Sequence, residues 1–239
     1  MKTNKTVCVL AALPFLMMAA CSIPPDDHIV ADVTFVDHVE AGMIEQDVYI
    51  ERPVGSGQVY RVGPEESAFY MAAPVTGTAE PVHHAPMDAA YNGPYPKGKD
   101  LGITLGNWLA GTGSAKVRCR AGEGHVIATF DNLVPNGLYT MWYFIMADPP
   151  TDPFSTYDLP VGARDGSDSV FQADADGHAD YNVLFPRCLQ GGGSQFSVGL
   201  AIAWHSDGKT YGYHPGTFGD HSHIQLFAML PNNTELNAR

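Results

Sequence analysis

The sequence predicts an all-β fold, an antiparallel β-sandwich with Greek-key-like connections, one short helix and long loops. Helical periods are nearly absent, because 25 glycines and 18 prolines are spread along the chain and interrupt any long helix. Short runs rich in Val, Ile, Tyr, Phe and Trp recur instead, which is typical of strands. Asn136-Gly137, Asp176-Gly177 and Asp207-Gly208 separate several of these runs and supply the positive φ that tight hairpins need.

Residues 21–72 predict a first group of short strands. Their apolar and β-branched runs are separated by polar loops, and Pro53–Gly57 is typical of a turn. The following segment, 73–100, is rich in Pro, Gly and Ala without a sustained period, so we expect a linker or a strap across the surface. The predicted strands in this part are Ile29–Val36, Asp47–Glu51, Gln58–Val62 and Ser67–Ala72.

Residues 101–239 predict the main β-sandwich domain. Leu101–Leu109 contains Leu-Gly-Asn-Trp-Leu, which favours one short helix that leads into the first strand. The segment Ala147–Ser167 holds four prolines and predicts a long loop at the rim. Seven runs at this spacing indicate a sandwich or a barrel. They are Ala115–Arg120, His125–Phe130, Leu138–Met146, Ser169–Ala173, Ala179–Phe185, Phe196–Trp204 and Ile224–Leu230.

Residues 1–20 have the pattern of an export signal. Lys2 and Lys5 precede a mostly apolar run from Val7 to Ala20, and the chain turns polar directly after Cys21. The apolar run is too short to cross the hydrocarbon core of a bilayer as a helix. The sequence therefore predicts a secretory signal rather than a retained transmembrane anchor.

The motif Met18-Ala19-Ala20-Cys21 resembles the lipobox of bacterial lipoprotein precursors, with Met18 where Leu is usual. The resemblance implies cleavage before Cys21, lipidation of that cysteine, and a membrane partner held through N-terminal lipid. Two or more acyl chains give stable anchoring. In the family, Asp after the cysteine favours the inner membrane, so Ser22 favours the outer membrane, facing the periplasm or the exterior. Ordinary secretion with an unmodified Cys21 and a cytosolic location are the alternatives.

The charge excludes one class of partner. The chain has 26 acidic and 13 basic side chains, and removal of Lys2 and Lys5 with the signal leaves 26 against 11, a formal charge of −15. Nucleic-acid binding depends on neutralising phosphates, so we expect no nucleic-acid partner. An acidic protein is also repelled by anionic lipid, so attachment to a membrane would depend on the covalent lipid.

The cysteines predict one disulfide. Cys8 lies in the predicted signal and Cys21 in the lipobox, which leaves Cys119 and Cys188. In an oxidising compartment these two are expected to pair and to close a loop of about 70 residues. A thiolate metal site is the alternative, but Cys-x-x-Cys spacing is absent.

Histidines give the candidate metal site. His221 and His223, two residues apart, project from one face of an extended segment, and His205 and Asp220 could complete a four-ligand shell for copper or zinc. The alternative interpretation is a set of surface histidines bonded to neighbouring groups. A second candidate for copper is His83-His84-Ala85-Pro86-Met87.

No motif identifies a reaction. A Gly-x-Ser-x-Gly elbow, a His-Glu-x-x-His helix and a phosphate-binding loop are all absent from the sequence. The part of the chain with Leu138–Tyr143, a Pro-rich loop and an Asp-Gly hairpin resembles small extracytoplasmic β-sandwich domains, a likeness that carries no function. We therefore expect a lipid-anchored envelope protein with a non-enzymatic binding or structural role toward an unidentified protein or small ligand. The alternatives are a periplasmic copper- or zinc-binding lipoprotein and an envelope hydrolase of unidentified type.

Overall fold

The computed structural model of the chain describes residues 28–43, 46–79, 92–120, 122–151, 155–186 and 188–232. The signal segment, Cys21 and the His83–Met87 motif lie outside the described residues. No helix in the described part of the chain is long and apolar enough to cross a membrane.

The described residues form thirteen strands and two short α-helices. The strands pair almost entirely in antiparallel fashion, so the predicted all-β, sandwich-like class is confirmed. In chain order the elements are β1 (His28–Asp37), β2 (Tyr49–Glu51), β3 (Gln58–Arg61), α1 (Pro64–Phe69), β4 (Pro74–Thr78), β5 (Tyr95–Thr104), α2 (Leu105–Leu109), β6 (Thr112–Arg120), β7 (Glu123–Asp131), β8 (Leu138–Ala147), β9 (Thr156–Pro160), a 3₁₀-helix (Ser167–Ser169), β10 (Val170–Gln172), β11 (Ala179–Phe185), β12 (Phe196–His205) and β13 (Ser222–Met229).

Nine strands form one large sheet in the order β10-β8-β12-β13-β1-β6-β7-β11, and β9 pairs with β8 beside β10, on the edge of β8 away from β12. The sheet curls, as contacts between side chains of distant strands in one core show. Phe171 of β10 stacks on Phe130 of β7 at 5.4 Å between ring centroids. It also contacts Tyr139 of β8 and Tyr181 of β11, each with a centroid distance of 5.5 Å. The inner face of the sheet is thus wrapped around a single aromatic and aliphatic core.

The remaining four strands close a small barrel in the order β2-β3-β5-β4. β1 lies within the large sheet, and its last residue, Asp37, precedes the barrel by only a short connection. The predicted boundaries at residues 72 and 100 therefore do not separate the strands: β2 and β3 pair with β4 and β5 across the first boundary, and β1 pairs with β6 across both. Segment 73–100 was expected to be a linker or a strap. That expectation was wrong where β4 and the start of β5 lie in the segment as barrel strands.

The segment Ser67–Ala72 was expected to be a strand, but its first three residues form the end of α1 and its last three follow the helix. Pro64 occupies the first turn, where its missing N–H costs nothing, and the carboxylate of Glu66 accepts a hydrogen bond from the backbone N–H of Gly63 at 3.1 Å. The acidic Glu65 and Glu66 also favour this helix start. Two other expectations need correction: the structure has two short α-helices rather than one, and the loop 147–167 contains β9.

The large sheet has two ends. The disulfide end comprises the starts of β1 and β12, the β6–β7 turn and the ends of β8, β11 and β13. Cys119 lies opposite His28 in the β1–β6 register and bonds to Cys188, which follows β11, with a Cα–Cα distance of 5.2 Å. The predicted disulfide is therefore confirmed.

The histidine end of the sheet comprises the end of β12, the loop 206–221 and the start of β13. Because β1 and β13 are antiparallel, the histidine end and the start of β1 are at opposite ends of the sheet.

Candidate functional site

Strand register separates two of the predicted metal ligands. In the β12–β13 ladder Trp204 lies opposite His223, and His205 lies opposite Ser222. Residues that oppose each other share a face, and neighbours along a strand alternate between faces. His205 and His223 therefore lie on opposite faces of the sheet.

His223 points toward the core. Its side chain is 2 % exposed and packs against Trp204 and Trp108 at ring distances of 5.6 and 6.4 Å. Its Nε2 is 3.1 Å from the hydroxyl oxygen of Ser206, so the two groups form a hydrogen bond. Burial lowers the pKa of His223 to about 4, although the backbone of Asp47 acts in the opposite direction. The ring is consequently uncharged at neutral pH.

His205 is equally buried on the outer face of the sheet, with 2 % of its surface exposed. Trp142 Nε1 donates to the hydroxyl of Thr140 at 2.7 Å, and the same hydroxyl forms a hydrogen bond with Nε2 of His205 at 2.8 Å. Neither His205 Nδ1 nor the hydroxyl of Ser222 opposite it has a hydrogen-bond partner among the described residues. Burial lowers the pKa of His205 to about 4, against an opposing effect of Asp207.

His221 is the most accessible histidine of the predicted set, with 35 % of its side chain exposed. Its Nε2 lies 2.9 Å from Asp220 Oδ2, whereas its Nδ1 is 4.0 Å from Asp207 Oδ2. Its ring stacks on Tyr211 at 5.8 Å, and the Tyr211 hydroxyl donates to Asp207 at 2.6 Å. This hydrogen bond raises the pKa of Tyr211 to about 12. For Asp207 partial burial raises the pKa, but the hydrogen bonds from Tyr211 and the Lys209 backbone outweigh it and leave the pKa lowered.

The four predicted ligands thus have separate partners. His223 binds Ser206 beside the core, His205 binds Thr140 on the other face, and His221 pairs with Asp220 near the surface. Within the described ranges no three His, Cys, Asp or Glu side chains are arranged to hold a metal ion. A site made of all four residues stays a prediction that this geometry does not support.

A third buried histidine, His38, was not singled out from the sequence. It follows β1, is fully buried and accepts a hydrogen bond at Nδ1 from Trp108 Nε1 at 3.4 Å. Burial lowers its pKa to about 4, with Asp37 acting in the opposite direction. Gln225 of β13 completes this buried polar group: its side-chain amide donates to the backbone carbonyl of Trp108 at 2.8 Å and accepts from Tyr139 at 2.6 Å. Each contact joins residues far apart in the chain, so local sequence patterns gave no signal for it.

The barrel contains a buried ion pair that the sequence analysis also missed. Arg61 is 1 % exposed, and its Nη1 lies 3.3 Å from Asp47 Oδ1. Tyr49 donates to the same carboxylate oxygen at 2.7 Å, and its ring lies 5.3 Å from the guanidinium carbon of Arg61. The sequence could have indicated that Arg61 is buried, because side chains alternate along β3 and Arg61 lies on the same inward face as the apolar Val59.

A small cavity lies on the strands that carry His205 and His223. It lies on the outer face of β8, β12 and β13, holds about 30 Å³, and is lined mainly by apolar side chains that include Trp142, Phe144 and Phe227. This volume suits about one water molecule, whereas small-molecule sites usually enclose several hundred Å³. A more open depression of about 280 Å³ lies on β1, β6 and β7 and is lined by Thr34, Ser114 and other residues of that outer face.

At neutral pH the buried histidines of this end form uncharged, hydrogen-bonded groups in the interior. At the surface, the partly exposed imidazole of His221 lies between the carboxylates of Asp207 and Asp220. The two buried histidines are poorly suited to act as general bases at neutral pH, since the pKa values of His205 and His223 are about 4. A scan of protein-family models finds no match to the chain, and searches of curated proteins and of solved structures find no similar protein.

Proposed function

We propose that the chain is a lipid-anchored cell-envelope protein whose β-sandwich domain has a non-enzymatic binding or structural role. The lipobox-like motif at Met18–Cys21 supports the anchor, and Ser22 supports outer-membrane sorting. The single observation that carries the proposal is the Cys119–Cys188 disulfide, because structural disulfides persist in oxidising compartments outside the cytosol.

The cysteine inventory is consistent with this assignment. The chain has four cysteines. Cys119 and Cys188 bond to each other, Cys8 falls within the predicted signal, and Cys21 stands at the predicted acceptor position. No cysteine is then left over as a free thiol in the mature protein, as expected for an exported chain.

The geometry of the histidine end supports a non-enzymatic role over the hydrolase alternative. Ser206 and His223 have the residue types and the 3.1 Å separation of a nucleophile and its base. A general base works best when its pKa lies near the working pH, but the pKa of His223 is about 4 and only 2 % of the residue is exposed. This pair is therefore better suited to stabilise the fold than to activate a nucleophile.

Metabolic labelling tests the anchor. Bacterial cells that express the chain are grown with an alkyne fatty acid, and the protein is purified and coupled to a fluorophore. We expect label on the wild type and none on Cys21→Ser. Cys8→Ser is the matched control, because it removes another cysteine of the same N-terminal segment and should leave the label unchanged. Label that persists in Cys21→Ser would refute the assignment.

A further inference from the structure

Large exposed apolar side chains of the described residues fall into two groups at opposite ends of the domain. One group belongs to the loop 206–221 and to the barrel region, which packs against this loop where Gly77 and Asp47 approach Gly219: Val54, Phe69, Met71 and Tyr213. The other group lies at the disulfide end and consists of Tyr157, Leu184, Phe196 and Met229, which are 64, 62, 42 and 40 % exposed.

The strand register places the second group at the disulfide end. Leu184 lies opposite His125, next to the β6–β7 turn. Phe196 opens β12 and lies opposite Ala147 at the end of β8. Tyr157 pairs with Ile145 two residues earlier on β8, and Met229 closes β13. These four side chains thus come from four different strands that all begin or end at one end of the sheet.

Chain length decides which end can face a membrane. Seven residue steps separate Cys21 from His28, and at up to ~3.6 Å per residue they span at most about 25 Å. β1 has ten residues. At ~3.3 Å per residue its first residue lies about 30 Å from its last. If the histidine end faced the bilayer, His28 would stand about 30 Å above the surface, before the height of the barrel is added. A lipid on Cys21 could not reach the bilayer from there.

We propose that the disulfide end of the domain rests on the lipid bilayer, with Tyr157, Leu184, Phe196 and Met229 in the membrane interface. The proposal rests on the lipidation of Cys21 proposed above. Tyrosine favours the interface because its ring is apolar and its hydroxyl stays hydrated, and aliphatic side chains add apolar burial there. Without Lys2 and Lys5 the formal charge of the lipidated chain is −15, which makes electrostatic attraction to anionic lipid unfavourable, so apolar contact and the acyl chains supply the binding.

In this orientation the barrel and the loop 206–221 project away from the membrane. The half-exposed His221, between Asp207 and Asp220, is then presented to the surrounding compartment. The membrane-facing surface and the surface available to other molecules are thus separated along the length of the sheet.

Photocrosslinking to lipid tests the orientation. The photoreactive residue p-benzoylphenylalanine is placed at Phe196 or Tyr157, and at Phe69 as the matched control, because all three are exposed aromatic side chains. The full-length proteins, labelled with the alkyne fatty acid, are reconstituted in vesicles of phosphatidylethanolamine and phosphatidylglycerol that carry a trace of radiolabelled phosphatidylethanolamine. Non-reducing peptide mapping confirms that each variant retains its disulfide.

We expect radiolabelled lipid on the Phe196 and Tyr157 probes at a level at least about tenfold above that on the Phe69 probe. Equal labelling at the two ends, or labelling at Phe69 alone, would overturn the orientation. The fatty-acid label separates the two proposals: lipidated protein without lipid adducts at Phe196 and Tyr157 refutes the orientation alone. Absence of the fatty-acid label refutes the anchor and, with it, the orientation.

Discussion

Acidification from about pH 7 to about pH 5 should destabilise this domain strongly, because it buries three neutral histidines. His38, His205 and His223 are each no more than 2 % exposed, and burial lowers the pKa of each from 6.5 to about 4. Between these two values the unfolded chain binds protons that the folded protein does not. The stabilisation from uncharged histidines is therefore complete above about pH 6.5 and is lost as the pH falls through that window toward 4.

The magnitude follows from linkage. At about pH 5 an unfolded histidine is almost fully protonated, whereas a buried one with a pKa of about 4 is only about one-tenth protonated, which costs about 2 kcal/mol per histidine. Three such residues give a loss of about 6 kcal/mol. A domain is usually stable by about 5–15 kcal/mol, so this loss is a large part of the total.

Urea unfolding followed by tryptophan fluorescence measures the effect, since Trp108 and Trp204 both pack near His223. We expect His205→Gln and His223→Gln each to reduce the pH-dependent loss by about one third, because glutamine can keep the hydrogen bond made by Nε2 without titrating. His214→Gln is the matched control, since His214 is exposed. A wild type whose free energy of unfolding is the same at both pH values, or variants with the full wild-type loss, would refute the reasoning.

Three further predictions concern stability and metal binding. Reduction of the Cys119–Cys188 disulfide should lower the free energy of unfolding by about 4 kcal/mol, measured by urea denaturation, because the disulfide closes a loop of about 70 residues. Detection of both cysteines as free thiols by mass spectrometry of the purified protein would contradict the pairing. Asp47→Ala should cost about 3–5 kcal/mol in the same assay because it leaves Arg61 buried without its carboxylate, and a cost below about 1 kcal/mol would show that the charge is compensated elsewhere. Zinc titration by calorimetry should give the same weak heats for wild type and His221→Ala, whereas a stoichiometric site lost in the variant would restore the metal hypothesis.

Strands were predictable where the signal was local. The run Ala179–Phe185 coincides with β11, because alternation of apolar and polar side chains and the preceding Asp-Gly turn define it within a few residues. The barrel strands β4 and β5 were missed because proline normally argues against a strand. Pro74 is tolerated as the first residue of β4, where no preceding ladder bond is lost. Pro96 occurs near the start of β5.

The candidate site was less predictable, because it depends on strand register and on distant partners. Spacing alone suggested that His221 and His223 act together. In the structure His223 is the second residue of β13 and lies opposite Trp204, while His221 precedes the strand and packs on Tyr211. The hydroxyl that binds His205 belongs to Thr140, 65 residues away. Local patterns identify residue types that can do chemistry, but the faces they occupy are set by pairing across the sheet.

The buried histidines are best understood as neutral hydrogen-bonding groups. Metal ligation needs several convergent donors, and general-base catalysis needs a pKa near the working pH; His38, His205 and His223 do not meet these conditions. Each does provide a polar atom for another group: the buried Trp108 for His38, the buried Thr140 for His205 and the half-buried Ser206 for His223. Since an unsatisfied buried donor costs about 1–3 kcal/mol, these pairings stabilise the end of the sheet at neutral pH. The same burial makes that end sensitive to acid, because protonation would place a charge on each buried ring.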